Sequence, residues 1–226
     1  MSRAATTVSE LVIYPESDGQ PVGETEIHVL LFVECLEELR EFFADQNDVW
    51  VGGNIFVYYV KGDPRKVVCP DLLVVKGIPK RRPGGLRRTY QVWKERKAPN
   101  FVLELTSDET RENDMGRKFD LYGQVLKVAE YFLFDPLGDY LNPSVQGYRL
   151  RGGKYIPIRP VQGRLPSREL GLHLVVIDGM LRFYDPVAQR LLPTREEQAA
   201  ARSRAEAEAQ ALRHELALLR QRLKHQ

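Results

Sequence analysis

Apolar residues fall along this chain in two periods. Val49 to Val60 alternates and Val67 to Val75 is nearly continuous, which predicts two strands of one hairpin turning through Lys61-Gly62-Asp63-Pro64-Arg65. Phe101-Val102-Leu103, continued by Leu105, is a third buried-strand run. Glu130 to Asp135 is a fourth, closed by Pro136-Leu137-Gly138-Asp139, with Asp135 read as a turn former. Two hairpins follow. One joins Gln146–Leu150 to Lys154–Ile158 around Arg151-Gly152-Gly153, and the other joins Leu172–Asp178 to Met180–Tyr184 through Asp178-Gly179.

Elsewhere the period is helical. From Glu24 onward Ile27, Leu30, Leu31, Val33, Leu36 and Leu39 keep one stripe. Thr106-Ser107-Asp108-Glu109 has capping-box spacing, so a helix is predicted to begin there. It carries Asp114, Lys118 and Tyr122 four residues apart, on one face with Met115 and Phe119. Past Pro193 the composition changes: Arg195 to Gln226 contains no Gly or Pro. Ala205, Ala209, Leu212, Leu216, Leu219 and Leu223 follow the 4-3-4-3-4 spacing of a coiled-coil seam. So narrow a stripe is marginal alone in water, which predicts a partner helix, most simply in a homodimer or higher homo-oligomer. The chain therefore divides into an N-terminal segment (1–23), an α/β domain (24–194) and a C-terminal coiled-coil helix (195–226).

Composition narrows the classes. With 226 residues and 43% apolar, the chain can build a sizeable core, and a formal charge of +2 confines any nucleic-acid surface to a local patch. That patch is the stretch from Lys76 to Lys97, which holds nine Lys or Arg against one acid, Glu95. Lys80, Arg81, Arg82, Arg87, Arg88, Lys94, Arg96 and Lys97, interleaved with Tyr90 and Trp93, are candidates for neutralising phosphates. The plainer reading is a solvated loop. Lying between the two acid-bearing strands, the stretch is expected beside their site. Two cysteines, Cys35 and Cys69, make no disulfide framework, and no signal pattern or membrane-length apolar run stands out, so a cytoplasmic protein is expected. The four histidines have no zinc-ligand spacing. Phosphate-loop, dinucleotide and nucleophile-elbow motifs are absent.

The chemistry gathers at three positions. Glu104 stands inside a buried strand, and an ionised carboxylate there costs several kcal/mol unless paired or coordinated. Asp71 follows Pro70 and precedes four branched apolar residues, and Lys118 lies on the helix after Glu104. Two strand-borne carboxylates and a lysine form a grouping that binds a hard divalent cation through oxygen and hydrolyses a phosphodiester. The lysine there positions water or offsets developing charge.

These residues carry a resemblance. Pro70-Asp71, Glu104-Leu105-Thr106 and Lys118 resemble the PD-(D/E)xK pattern of restriction-endonuclease-like proteins. The order GNIFVYYVKGDPRKVVCPDLLVV, KAPNFVLELTS, EYFLFDPLGDYL, GYRL, LGLHL and LRFYDP resembles the Uma-type endonuclease family from about Glu24 to Pro193. The resemblance implies an α/β, restriction-endonuclease-like core, a mixed sheet flanked by helices, with added β-hairpins. It implies Mg2+ or Mn2+ held by Asp71, Glu104 and the backbone carbonyl of Leu105, Lys118 assisting the attacking water, and DNA as substrate. Thr106 departs from the pattern by standing where the lysine usually does, so Lys118 serves from the helix. Glu24 and His28 match the family's beginning and are candidates for an additional acid or site residue; their bland reading is a solvated helix start. The alternative function is a catalytically silent nucleic-acid-binding or scaffolding protein on the same fold. A two-carboxylate glycosidase explains neither Lys118 nor the basic stretch.

Overall fold

The computed structural model describes residues 12–17, 25–82 and 84–224, the side chains of 217–219 and 221–224 excepted. In chain order, helix α1 (Glu26–Phe42) precedes strands β1 (Val49–Gly52), β2 (Val57–Tyr58), β3 (Val67–Val68), β4 (Leu72–Lys76) and β5 (Tyr90–Gln91). A single helical turn α2 (Val92–Glu95) leads to β6 (Phe101–Leu105). Next comes helix α3, over 113–125, in which Asn113–Arg117 and Leu121–Val125 are π-helical and Lys118–Asp120 α-helical. Strands β7 (Glu130–Phe134), β8 (Val145–Arg151), β9 (Lys154–Pro157), β10 (Leu165–Pro166), β11 (His173–Ile177), β12 (Met180–Asp185) and β13 (Arg190–Leu191) precede the terminal helix α4 (Arg195–Lys224). No described helix is long and apolar enough to cross a membrane.

The central sheet has the order β1-β4-β6-β7-β8-β9. Only β6 and β7 run parallel, and the crossover such a pair requires is α3. Alternation along the strands divides the core. Leu72, Val74, Phe101, Leu103, Phe132 and Phe134 pack toward α1 and the second sheet, β10-β11-β12-β13. Leu73, Val75, Val102, Tyr131 and Leu133 pack toward α3 and the third sheet, β3-β2-β5. A period of two predicts this division wherever both faces of a sheet are covered.

Several expected elements are redrawn. The first hairpin is not one ladder: β1 pairs with β4 in the central sheet, whereas β2 pairs with β3 in the third. The change of sheet falls at Cys69-Pro70-Asp71, where proline withholds a ladder donor. Helix α1 starts at Glu26 with Thr25 as N-cap, and its buried face is Leu31, Cys35, Leu36 and Leu39, while Leu30 is half-exposed. The capping box does not form. Thr106 turns its hydroxyl inward, a Ser107–Thr110 turn intervenes, and helical structure begins at Arg111. Met115 faces solvent, while Phe119 packs edge-on against Tyr131, Tyr148 and Tyr155. Asp135 is the turn former its position suggested, accepting from the backbone N–H of Gly138, Tyr140 and Leu141 at 2.9–3.0 Å.

The second sheet is tied to the first by a buried carboxylate. Glu130, at the start of β7, accepts from Arg149 Nε at 2.7 Å and Ser167 Oγ at 2.5 Å, and from the N–H groups of Arg168 and Glu169. Helix α4 is anchored at its base by a capping box. Thr194 N–H donates to Glu197 Oε2 at 2.8 Å, and Glu197 N–H donates to Thr194 Oγ1 at 3.1 Å.

Candidate active site

Strand register alone brings the two acids together. Leu72 pairs with Leu103, so Asp71, one residue before β4, falls opposite Glu104 on the face that meets α3. Backbone N–H groups fix both side chains. Asp71 N–H donates to Glu104 Oε2 at 3.2 Å, and Leu105 N–H donates to Asp71 Oδ2 at 2.8 Å. The Asp71 main chain is itself clamped from the end of β1, because Asn54 N–H donates to the carbonyls of Pro70 and Asp71 at 3.1 and 3.2 Å. Gly53 permits that approach: a Cβ there would lie 2.2 Å from the Asp71 oxygen.

Helix α3 delivers the cation. Lys118 Nζ lies 3.1 Å from Glu104 Oε2 and 2.9 Å from Asp114 Oδ1. Tyr122 Oη donates to Glu104 Oε1 at 2.7 Å. Asp114 Oδ2 accepts from Thr106 Oγ1 at 2.8 Å and Thr110 Oγ1 at 2.7 Å, and Thr106 Oγ1 also meets the Tyr140 hydroxyl. Thr106, in the usual lysine slot, therefore positions the aspartate that holds the displaced lysine. Asp114 is the residue that sequence reasoning left without a role, although its place four before Lys118 carried the signal.

Three carboxylates, Asp71, Glu104 and Asp114, thus share one ammonium. Glu104 is fully buried, and that burial, reinforced by Asp71 and Asp114, outweighs the pull of Lys118 and lifts its pKa to about 8. Burial also raises Asp71 above the usual carboxylate range, against the opposing effects of Lys118 and the Leu105 N–H. For Lys118 burial works downward, but Glu104, Asp114 and Asp71 outweigh it, so the ammonium is held charged. Tyr122 is pushed well above its ordinary value by burial and then by Glu104. Were all three carboxylates ionised, two negative charges would stand uncompensated, and burial instead keeps a proton on Glu104 near neutral pH.

The cluster opens into a cleft of about 380 Å³. Its walls include Asp71, Leu105, Asp114 and Lys118, with Thr25, His28 and Phe32 from the first turns of α1 and Ser107–Thr110 from the turn before α3. His28 is thus brought to the cleft, its Nδ1 2.6 Å from Thr25 Oγ1, while Glu24 lies outside the described residues. Asp108, Glu109 and Asp139 add acids to the lining, so the mouth favours cations over a bare polyanion. Among the described residues no three His, Cys, Asp or Glu side chains are arranged as a ready-made metal cluster. The donor set is narrower: two opposed carboxylates beside the Leu105 backbone, in a cluster short of positive charge. That set suits a hard divalent ion that keeps much of its water shell.

The basic stretch is not where it was expected. It leaves the sheet after Lys76, at the opposite end of β4 from Asp71, and none of its residues lines the cleft. An antiparallel connection between β4 and β6 can only emerge there, since Asp71 precedes one strand and Glu104 lies near the end of the other. Two of the candidates are built into the structure. Arg87, its side chain 2% exposed, pairs with Glu95 at 2.8 Å, donates to the carbonyls of Pro79 and Lys80, and lies over the Trp50 ring. Lys80 Nζ closes the end of α1 on the carbonyls of Phe43 and Ala44. Arg82 lies 3.9 Å from Glu95, and Arg88 reaches Glu16 at 2.7 Å. The other candidates, Arg81, Lys94, Arg96 and Lys97, are exposed.

The fold is a mixed sheet with one parallel βαβ step, and its two adjacent strands and crossover helix carry the acids and the lysine. A crystal structure of a "putative nuclease belonging to DUF820" from Anabaena variabilis matches it with a TM-score of 0.50 and 18% identity, over 71% of this chain and 85% of that one. At that identity the likeness speaks for the fold. The chain itself belongs to the Uma2 family, described as "putative restriction endonuclease", whose model matches residues 14–178. No curated protein matches it.

Proposed function

We propose that the chain is a divalent-cation-dependent endonuclease that hydrolyses DNA phosphodiester bonds. The observation that carries this reading is that Glu104, held against Asp71 and 3.1 Å from Lys118, needs more positive charge than Lys118 supplies to ionise near neutral pH. Asp71 and Glu104, with the Leu105 backbone carbonyl, would hold Mg2+ or Mn2+. Such an ion, when bound, supplies Lewis-acid polarisation of a phosphoryl oxygen. The protein's own groups do the rest. Lys118, kept charged by its carboxylates, positions water and offsets charge developing on phosphate. Asp114, held by Thr106 and Thr110, aims Lys118, and Tyr122 fixes the Glu104 carboxylate. His28 stands at the rim, beside the first turn of α1, whose N-terminal dipole favours an approaching phosphate. Neither Cys35 nor Cys69 is in a disulfide, in keeping with work in a reducing cytoplasm. A second copy joins through α4.

The direct test is supercoiled plasmid incubated with the purified chain. Nicked and linear forms are expected with Mg2+ or Mn2+, and none in excess chelator; intact plasmid under every ion tried returns the chain to the silent, nucleic-acid-binding reading.

The exposed cations of the basic stretch serve DNA at a distance from the cleft. Replacing Arg81, Lys94, Arg96 and Lys97 with Ser is expected to leave the fold intact and to flatten the salt dependence of DNA binding. The slope should fall by up to ~0.9 log units for each phosphate no longer neutralised. Arg87→Ser is expected to act differently, lowering stability because it removes the nearer cation of Glu95, two hydrogen bonds to carbonyls and the group over Trp50, leaving only Arg82 at 3.9 Å. An unchanged salt slope in the fourfold variant makes the stretch a solvated surface.

A further inference from the structure

Among the described residues, helix α4 is held near its base. Arg182 reaches Glu197 at 3.6 Å and Arg202 reaches Glu41 at 3.6 Å; past that point its described side chains are exposed apart from Ala209, with Leu212 and Leu216 more than half open to solvent. The sequence carries the same spacing on through Leu219 and Leu223. Assigning Leu212 to heptad position d and Leu216 to position a puts Glu208 and Glu215 at g, and Arg213 and Arg220 at e. Each glutamate is followed five residues later by an arginine. Residues five apart point away from each other on one helix, so this spacing stabilises nothing within the chain. Between two parallel, in-register helices, however, a g residue faces the e residue five positions on in the partner.

We propose that α4 pairs with α4 of a second copy as a parallel, in-register two-stranded coiled coil, selected by Glu208–Arg213 and Glu215–Arg220 contacts between chains. Twofold symmetry repeats both contacts, so all four are attractive. The antiparallel alternative that stacks the leucines, Leu212 against Leu216, sets Glu215 against Glu215 and Arg213 against Arg213. Its flanks are attractive, Glu208 against Arg222 and Glu206 against Arg220, but the two like-charge pairs at its centre, which the parallel arrangement lacks, disfavour it. The weak half of the seam, Ala205 and Ala209, lies toward the core, so the leucine half and its charges decide the pairing. Parallel pairing puts both α/β domains at the same end of the joined helices. No residue of the candidate site lies on α4, so this inference stands apart from the nuclease reading.

The test uses the full chain throughout. Light scattering at micromolar concentration should give twice the chain mass. Glu208→Arg with Glu215→Arg turns all four contacts repulsive and should weaken association at least about tenfold. Adding Arg213→Glu and Arg220→Glu to the same chain should restore it. Direction is read separately: Leu212→Cys should form a disulfide with its own copy under mild oxidation, since like d positions meet only in the parallel arrangement. A monomeric parent chain overturns the proposal, as does a charge reversal without effect. So does Leu212→Cys that cross-links to Leu216→Cys but not to itself.

Discussion

Glu104→Gln and Asp71→Asn are each expected to lower divalent-cation-dependent DNA cleavage by at least about 10²–10³-fold, the scale of losing one preorganised charge-stabilising group. Neither change should lower the melting temperature of the metal-free protein. Both carboxylates are buried in a cluster already carrying too much negative charge, and their raised pKa values record what ionisation costs there. A neutral amide of the same shape removes that cost, and in Glu104→Gln the amide oxygen can accept from the Asp71 N–H and Lys118 while its NH2 donates to the Tyr122 hydroxyl. Lys118→Ala should lose cleavage on a similar scale but for a different reason, and it carries the opposite stability effect. Its pKa is raised on folding, so the charged form contributes stability at every pH below the ordinary lysine value, neutral pH included. Removing it leaves Glu104 and Asp114 without their cation, at a cost of about 3–5 kcal/mol. Magnesium should rescue part of that loss in Lys118→Ala and none of the activity. Glu104 holds its proton below about pH 8, so metal binding near neutral pH should release protons, and Glu104→Gln should release fewer. Unchanged magnesium affinity in both acid variants, measured by calorimetry, would falsify the assignment of the ligands.

Much of this site was legible because it is built from short periods. A period of two put Glu104 and Val102 on one face, and a spacing of four put Asp114, Lys118 and Tyr122 on another. Those two patterns meet because β6 leads directly into α3. The Asp71–Glu104 pairing needed one step more, the antiparallel register of β4 and β6. The same register would have moved the basic stretch to the far end of the sheet. What local reading could not reach is side-chain partnership. Arg87 looks like any other cation of a charged run, yet Glu95 and Trp50 make it part of the core. Thr106 has the letters of a cap, but Asp114 offers its hydroxyl a buried charged acceptor, a stronger bond than the N–H of a helix start. The π-helical segments of α3 left no sign in a pattern that a plain α-helix would also fit.

A large loss of stability is expected far from the cleft, at Glu130→Ala. Glu130 begins β7 opposite Phe101, while Glu104 pairs with Leu133, three residues or about 10 Å further along the strands. Its carboxylate, 1% exposed, receives Arg149, the Ser167 hydroxyl and two backbone N–H groups. Arg149 Nη2 also holds the Pro166 carbonyl, so one buried pair joins the central sheet to the segment that leads into β11. Truncation leaves a largely buried guanidinium without its counter-charge and several donors without an acceptor. The cost is about 3–5 kcal/mol, which lowers the melting temperature by roughly 6–20 °C for a chain of this size. Arg149→Ala should cost a similar amount. The double variant should cost clearly less than the sum, because each single change already breaks the same pair. Cleavage at a temperature where Glu130→Ala remains folded should stay close to that of the parent, since nothing at the cleft has moved. The Glu104 and Glu130 variants thus separate the roles of two acids that the sequence presents alike, each in a buried strand. A melting temperature within about 2 °C of the parent for Glu130→Ala, or cleavage lost in the folded variant, would show that the division is drawn in the wrong place.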